Sequence, residues 1–322
     1  MTKRERMQAL LHGKPVDRIP VSFWWHYPAI DESPELLAEA LVRDHRAYDL
    51  DFVKMMPSGM YGVEDWGCQV GDPDPALGFK RLLAGPIHVP EDWRTITPRV
   101  PDQGARGREL RSLELVRKAL PEAPILQTVF SPLTTAAKLA GRALLLENLR
   151  STEAAVLRAL EAITRTEETY IAACLERGAT GIFLATQFAG DNLLTAAEHE
   201  RWCAPFEGRL LGCLHGRSEF SLLHLHGQAI VLDRFIQYPV PALSWEDAAL
   251  PMPEGRRRFS GIVVGGLDRA GWMVTASPEV VRMKTRALLQ DIGLERFILA
   301  PGCVMALRTP PANLRAVREL VG

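Results

Sequence analysis

The chain has 322 residues, 47% of them hydrophobic and 24% charged, with a formal net charge of −1. That length can bury a large core, in one α/β barrel or two smaller domains. No basic block is present to grip nucleic-acid phosphates, and no apolar run is long enough to span a bilayer. There is no signal-peptide pattern at the start, and the five cysteines (Cys68, Cys174, Cys203, Cys213, Cys303) have no paired spacing. The expected setting is therefore the reducing cytoplasm.

In chain order, Thr2-Lys3-Arg4-Glu5 reads as a capping box opening a short helix. A strand spans Ile19 to His26, a helix runs from about Pro34 to Arg46, and a second strand covers Asp51 to Met56. Residues 61–107 are rich in Gly and Pro and read as an excursion loop with a hairpin around Phe79 to Ile87. Loops of that length in a compact domain are usually lids or binding loops. Leu110 to Leu120 is helical and Pro124 to Phe130 is a third strand. From about Thr134 to Arg177 the pattern is almost wholly helical, with breaks near Gly141 and Ser151.

Gly181 to Gln187 forms a fourth strand, and Thr195 opens a second capping box whose helix runs to about Gly216. Further strands follow at Leu222–His226, Ala242–Asp247, Gly261–Asp268 and Phe297–Cys303. Ser277-Pro278 and Thr309-Pro310 each pair an N-cap with proline at the first helical position, so helices follow the last two strands. Eight apolar strands alternating with helices predict a single (β/α)₈ TIM barrel over residues 1–322, with a long excursion after the second strand. An open doubly wound sheet accounts less well for the strand count.

Barrels of this kind carry their active sites at the C-terminal strand ends. In Leu222-Leu223-His224-Leu225-His226-Gly227 the two imidazoles are two residues apart and share one face of a strand. Cys303 ends another strand in a Pro-Gly turn. His224, His226 and Cys303 together suit a zinc ion with an open fourth position. Candidate catalytic groups at other strand ends are Lys54, Asp247 and Asp268. Candidate substrate contacts are Trp25, His26, Met55, Phe130 and Gln187, joined by Tyr61 from the excursion.

Plainer roles compete. The two aspartates are equally suited to capping turns, and Lys54 to pairing with Glu64 or Asp65. Trp24 and Trp25 are adjacent, so at most one faces the barrel interior. Cys174, Cys203 and Cys213 fall on predicted helices and read as buried structural thiols.

The opening MTKRERMQALLHGKPVDRIPV, the His-x-His-Gly strand, GGLD at 265–268, APGC at 300–303 and TPPANLRAV at 309–317 resemble the uroporphyrinogen decarboxylase superfamily, in its methyltransferase-like branch. The resemblance spans essentially the whole chain and implies a (β/α)₈ barrel. True uroporphyrinogen decarboxylases carry an arginine-containing F-M-R-Q-A-G-R segment after the first strand. Here that place reads Phe23-Trp24-Trp25-His26-Tyr27-Pro28-Ala29, with no arginine to hold substrate carboxylates. The corrinoid and coenzyme M methyltransferases use His-x-Cys and a later Cys to bind zinc. This chain matches them at His224 and Cys303, and His226 replaces the middle cysteine. Exchanging a thiolate for a neutral ligand makes the metal more electrophilic.

The leading expectation is zinc-dependent methyl or alkyl transfer to an activated thiol, with a methyl-corrinoid carried by a partner protein as donor. The alternatives are a zinc-dependent lyase or hydrolase using Asp268, Glu246 or Asp247 as general base, a uroporphyrinogen decarboxylase-like decarboxylase, and a non-catalytic barrel binding a small metabolite. The expected partners are a small-molecule thiol or methylated substrate and a corrinoid protein, with neither nucleic acid nor membrane. An apolar barrel exterior also suits a homodimer.

Overall fold

The computed structural model describes residues 1–322. Its strands, numbered in chain order, are β1 (Val53–Lys54), β2 (Gln69–Pro73), β3 (Lys80–Ala84), β4 (Ile125–Phe130), β5 (Gly181–Thr186), β6 (Leu222–Leu225), β7 (Ala242–Trp245), β8 (Ile262–Leu267) and β9 (Phe297–Pro301). β2 and β3 pair antiparallel as a hairpin. The other seven form one parallel sheet in the order β1-β4-β5-β6-β7-β8-β9. Their residues are buried on both faces because side chains fill the lumen on one side and helices cover the other. No helix is long and apolar enough to cross a membrane.

The predicted first strand shrinks to one bridge, between Val21 and Leu299. Pro20 has no N–H to extend the ladder, so the segment is held by few bonds. Ser22 N donates to Leu299 O (3.2 Å) and Leu299 N to Pro20 O (2.9 Å). On the other side Asp51 N donates to Val21 O at 2.8 Å, and Ser22 Oγ to Phe52 O at 2.9 Å. The segment thus touches β9 on one side and the approach to β1 on the other, which closes the curled sheet into the expected barrel. Beneath this seam, the fully buried Asp51 carboxylate accepts from Arg6 and Arg18, each at 2.6 Å, and from Val21 N at 2.8 Å. These bonds lie at the N-terminal end of the barrel, where such residues serve stability.

Helix boundaries depart from expectation for local reasons. The helix expected from Thr195 to Gly216 is two, Ala196–Trp202 and Ala204–Gly212. It breaks at Cys203 ahead of Pro205, which cannot donate to the helix ladder. The last helix begins at Pro311 with Pro310, not Thr309, at its cap. The helix expected from Leu110 starts at Gly104, and β6 is followed only by a 3-10 turn, Leu232–Arg234.

The excursion is more ordered than its composition suggests. It holds the β2–β3 hairpin, whose turn lies at residues 74–79, so the hairpin sits earlier in the chain than predicted. That turn reaches across the barrel mouth. Leu307 N donates to Ala76 O at 2.8 Å. Gly78, at φ +77°, is so close to the first segment that an added Cβ would meet His26 Cβ at 3.0 Å.

Candidate metal centre at the barrel mouth

β5 and β6 run parallel with Ala185 opposite His224, which lifts His224 to the top of the lumen, and His226 follows as the strand ends. β9 ends at Pro301 beside Leu267, and the next turn presents Cys303. Gly302 lets that turn approach β7, since a Cβ there would lie 2.6 Å from Glu246 Cβ. His224, His226 and Cys303 come together with their ligand atoms all within 4.8 Å of one another. Cys303 Sγ is 3.6 Å from His226 Nδ1.

Their electrostatics suit a cation. Burial alone would raise the Cys303 thiol, but the adjoining His224 imidazole and the Arg269 charge outweigh it and pull the thiol below its ordinary value. Burial lowers His224, and lowers His226 to about 4 with help from Arg269 and Lys138. Neutral imidazoles beside an acidified thiol are the protonation states a zinc ion needs. His224 Nε2 is buried without a hydrogen-bond partner, while its Nδ1 lies 3.3 Å from Ser244 Oγ. A buried ring nitrogen left open, in an N,N,S donor set, fits a zinc ligand.

Around this triad the lumen is aromatic. The Phe183 ring lies 5.3 Å from that of His224 and 5.7 Å from Trp24, which in turn packs on Phe52. Lys54 is 6% exposed, and its Nζ lies 2.8 Å from Met56 Sδ and 4.3 Å from the Phe183 ring centre. Burial pulls its amine down to about 7. The expected acids are engaged elsewhere, Glu64 with Arg108 and Asp65 with Arg106. Lys54 is therefore a buried amine with no carboxylate partner. Lys138, absent from the sequence reading, lies over the Phe130 ring at 3.0 Å and donates to Gly59 O at 2.5 Å.

Several expected contacts are placed differently. Trp24, not Trp25, faces the lumen. Trp25 packs outward on Tyr27 and Tyr48, 6.0 and 6.1 Å between ring centres. By the same alternation Lys54 and Met56 share the inner face, and Met55 points to the helices. Tyr61 is buried beside Phe130 and Tyr170, and its hydroxyl donates to Thr128 O at 2.7 Å, so it orients the wall and not a ligand. Asp268 accepts from Gly271 N (2.8 Å) and Trp272 N (3.0 Å), and Asp247 from Ile230 N (2.9 Å) and Ala249 N (3.0 Å). Both cap turns. His26 is buried, its Nδ1 lacks a partner, and burial beside Lys54 and Lys138 lowers it to about 3. Phe130 and Gln187 stay half-buried at their strand ends, and the backbone N–H of Gln187 donates to Thr134 Oγ1.

Residues 2–322 match the family described as Uroporphyrinogen decarboxylase (URO-D). The chain belongs to the uroporphyrinogen decarboxylase family. It is an enzyme of that family, and the relatives that match it over nearly their whole length are methyltransferases. It is 22% identical to the Methylcobamide:CoM methyltransferase MtaA of Methanosarcina barkeri (strain Fusaro / DSM 804), over 98% of this chain and 96% of that one. It is 23% identical to the Methylcobamide:CoM methyltransferase MtbA of Methanosarcina acetivorans, over 99% and 97%. The solved structure of a methyltransferase from Methanosarcina mazei superposes with a TM-score of 0.81 at 20% identity, covering 99% of this chain and 98% of that one, and shows the shared fold.

In this member of the uroporphyrinogen decarboxylase family, the arginine-free segment after the first strand places an indole, Trp24, inside the barrel. The residues invisible to sequence reading are Ser244, Phe183, Lys138 and the Glu246–Arg269 ion pair. Met56 and Trp24 stand at the predicted strand ends, Met56 as part of the expected apolar wall, and the structure puts Met56 beside Lys54 and Trp24 against Phe183.

Proposed function

We propose that this protein transfers a methyl group from a methylated corrinoid, carried by a partner protein, to the sulfur of a small thiol, with zinc held by His224, His226 and Cys303. The observation that carries the reading is the convergence of those three donors within 4.8 Å at the mouth of the barrel. The full-length similarity to methylcobamide:CoM methyltransferases supports the choice of reaction. Zinc bound there would supply Lewis acidity that keeps a thiol deprotonated near neutral pH.

In the overall reaction a carbon–sulfur bond forms and the donor's bond to the methyl carbon breaks. The donor keeps the bonding pair, and the thiol proton passes to solvent. Trp24, Phe183 and Met56 exclude water from the lumen, which strengthens every charge interaction inside it. Lys54 offers its amine hydrogens to the substrate's polar end, since only a thioether and a ring face it otherwise. The carboxylates that would serve the hydrolytic alternative are engaged, Asp247 and Asp268 by backbone amides and Glu246 by Arg269.

The test is methyl transfer from methylcobalamin to a panel of small thiols with zinc-loaded protein. We expect a zinc-dependent loss of methylcobalamin matched by thioether, falling at least about 100-fold in Cys303→Ser. A fully zinc-loaded protein that methylates no thiol in the panel, with methylcobalamin or with a methylated corrinoid protein, would sink the proposal.

A further inference from the structure

We propose that β7, which supplies no metal ligand, is the positioning strand of the centre: Ser244 aims His224, and Glu246, acting through Arg269, holds the turn that carries Cys303. This inference rests on the zinc-binding reading above.

The parallel register sets His224 directly opposite Ser244, so both side chains face the lumen. Ser244 is fully buried, and its hydroxyl lies 3.3 Å from His224 Nδ1. A neutral imidazole that coordinates through Nε2 carries its proton on Nδ1 and needs an acceptor there. Ser244 Oγ is that acceptor, and the nitrogen left over is the buried, unpartnered Nε2. The Ser244 hydroxyl is the hydrogen-bond partner of that ring at Nδ1.

Glu246 lies two residues beyond Ser244, just past the end of β7 at Trp245. Its carboxylate pairs with Arg269, at the exit of β8. Arg269 Nη1 donates to Val304 O at 3.1 Å, and Arg269 O accepts from Ala306 N at 3.2 Å. The turn just after Cys303 is thus gripped from both sides by one residue, itself anchored on β7. β9 is two strands from β7, and the arginine spans the gap between them. The absence of a side chain at Gly302 allows the close approach to Glu246 that this arrangement uses.

The test is zinc affinity, measured by competition with a chromophoric chelator. The proteins are wild type, Ser244→Ala, Glu246→Gln, their combination, and the conservative Ser244→Thr and Glu246→Asp. Melting temperatures of the metal-free and zinc-saturated forms accompany it. We expect each of the first two changes to weaken zinc by about 10- to 100-fold, as supporting residues of metal sites do. Because they hold different ligands, the double variant should show the product of the two losses. Metal-free melting should stay near wild type while the zinc-induced rise shrinks. Ser244→Thr or Glu246→Asp should recover part of the affinity.

Unchanged zinc affinity in both single variants overturns the inference and leaves the zinc reading standing. So does a loss of affinity that only tracks a fall in metal-free melting, with no recovery in either conservative variant. Wild type that binds no zinc overturns both.

Discussion

Cys303 Sγ and His226 Nδ1 are 3.6 Å apart, although the two residues are 77 positions apart in the chain. The contact joins the turns after β6 and β9, so a ligand bound across it would tie two distant parts of the barrel. Purified protein without a His tag is expected to carry about one zinc per chain. His224→Ala and Cys303→Ser are each expected to reduce that to near zero under the same dialysis. Metal analysis decides it, and full retention in both variants would remove the proposed centre.

The adjacent tryptophans separate by role. Trp24 is 2% exposed against Phe52 and Phe183, so Trp24→Ala should cost about 3–5 kcal/mol. Trp25 is half-buried on Tyr27 and Tyr48, and Trp25→Ala should cost only about 1–2 kcal/mol. Urea denaturation of the two variants measures both. The reverse order would mean that the parity of the first segment is misplaced.

Lys54 should be a liability for stability. Its ordinary pKa of 10.5 falls to about 7 on folding, so the unfolded chain holds the extra proton between those values. The deficit is full at and below pH 7 and fades as pH rises to 10.5. Lys54→Met should therefore raise stability by on the order of a few kcal/mol at pH 6 and by little near pH 10.5. Melting curves across that range test the sign, and a destabilised variant at pH 6 would show that the amine has a partner in solution.

Acid should weaken the metal-free protein early. His26 and His45 fall to about 3 and His199 to about 4, in each case chiefly through burial. Above pH 6.5 these rings are neutral in both states and no penalty arises. Between 6.5 and about 3–4 only the unfolded chain takes up the protons, so stability falls as pH falls. Melting temperature should drop through this window, and less steeply in His199→Phe. A flat profile from pH 6.5 to 4 would contradict the burial of these rings.

The barrel and the approach of His224, His226 and Cys303 to one another were legible because they depend on patterns local to each strand. Alternating apolar runs mark strands, and His-x-His places two donors on one face wherever the strand lies. What escaped depends on parity and on partners. Nothing in Trp24-Trp25 or Lys54-Met55-Met56 says which residue turns inward until a neighbouring strand is in place. Tyr61 looked free because the carbonyl of Thr128 that takes its hydroxyl is 67 residues away. Asp247 and Asp268 read as bases or as caps with equal force until the amides of Ile230 and Trp272 were seen against them. Ser244 carried no signal, since its role exists only through the register with His224.

The closure of the barrel at Val21 has its own consequence. β9 is held by a five-residue ladder to β8 on one side but by a single bridge, made of two backbone bonds, on the other. Local opening begins where the fewest bonds must break, so the first rung to fray is the one that flanks the strand delivering Cys303. In deuterium exchange, the amides of Ser22 and Leu299 would lead those of β5 and β6, and ion binding would slow them although neither touches it. Holding the ion and keeping the ring of strands shut are then two descriptions of a single equilibrium.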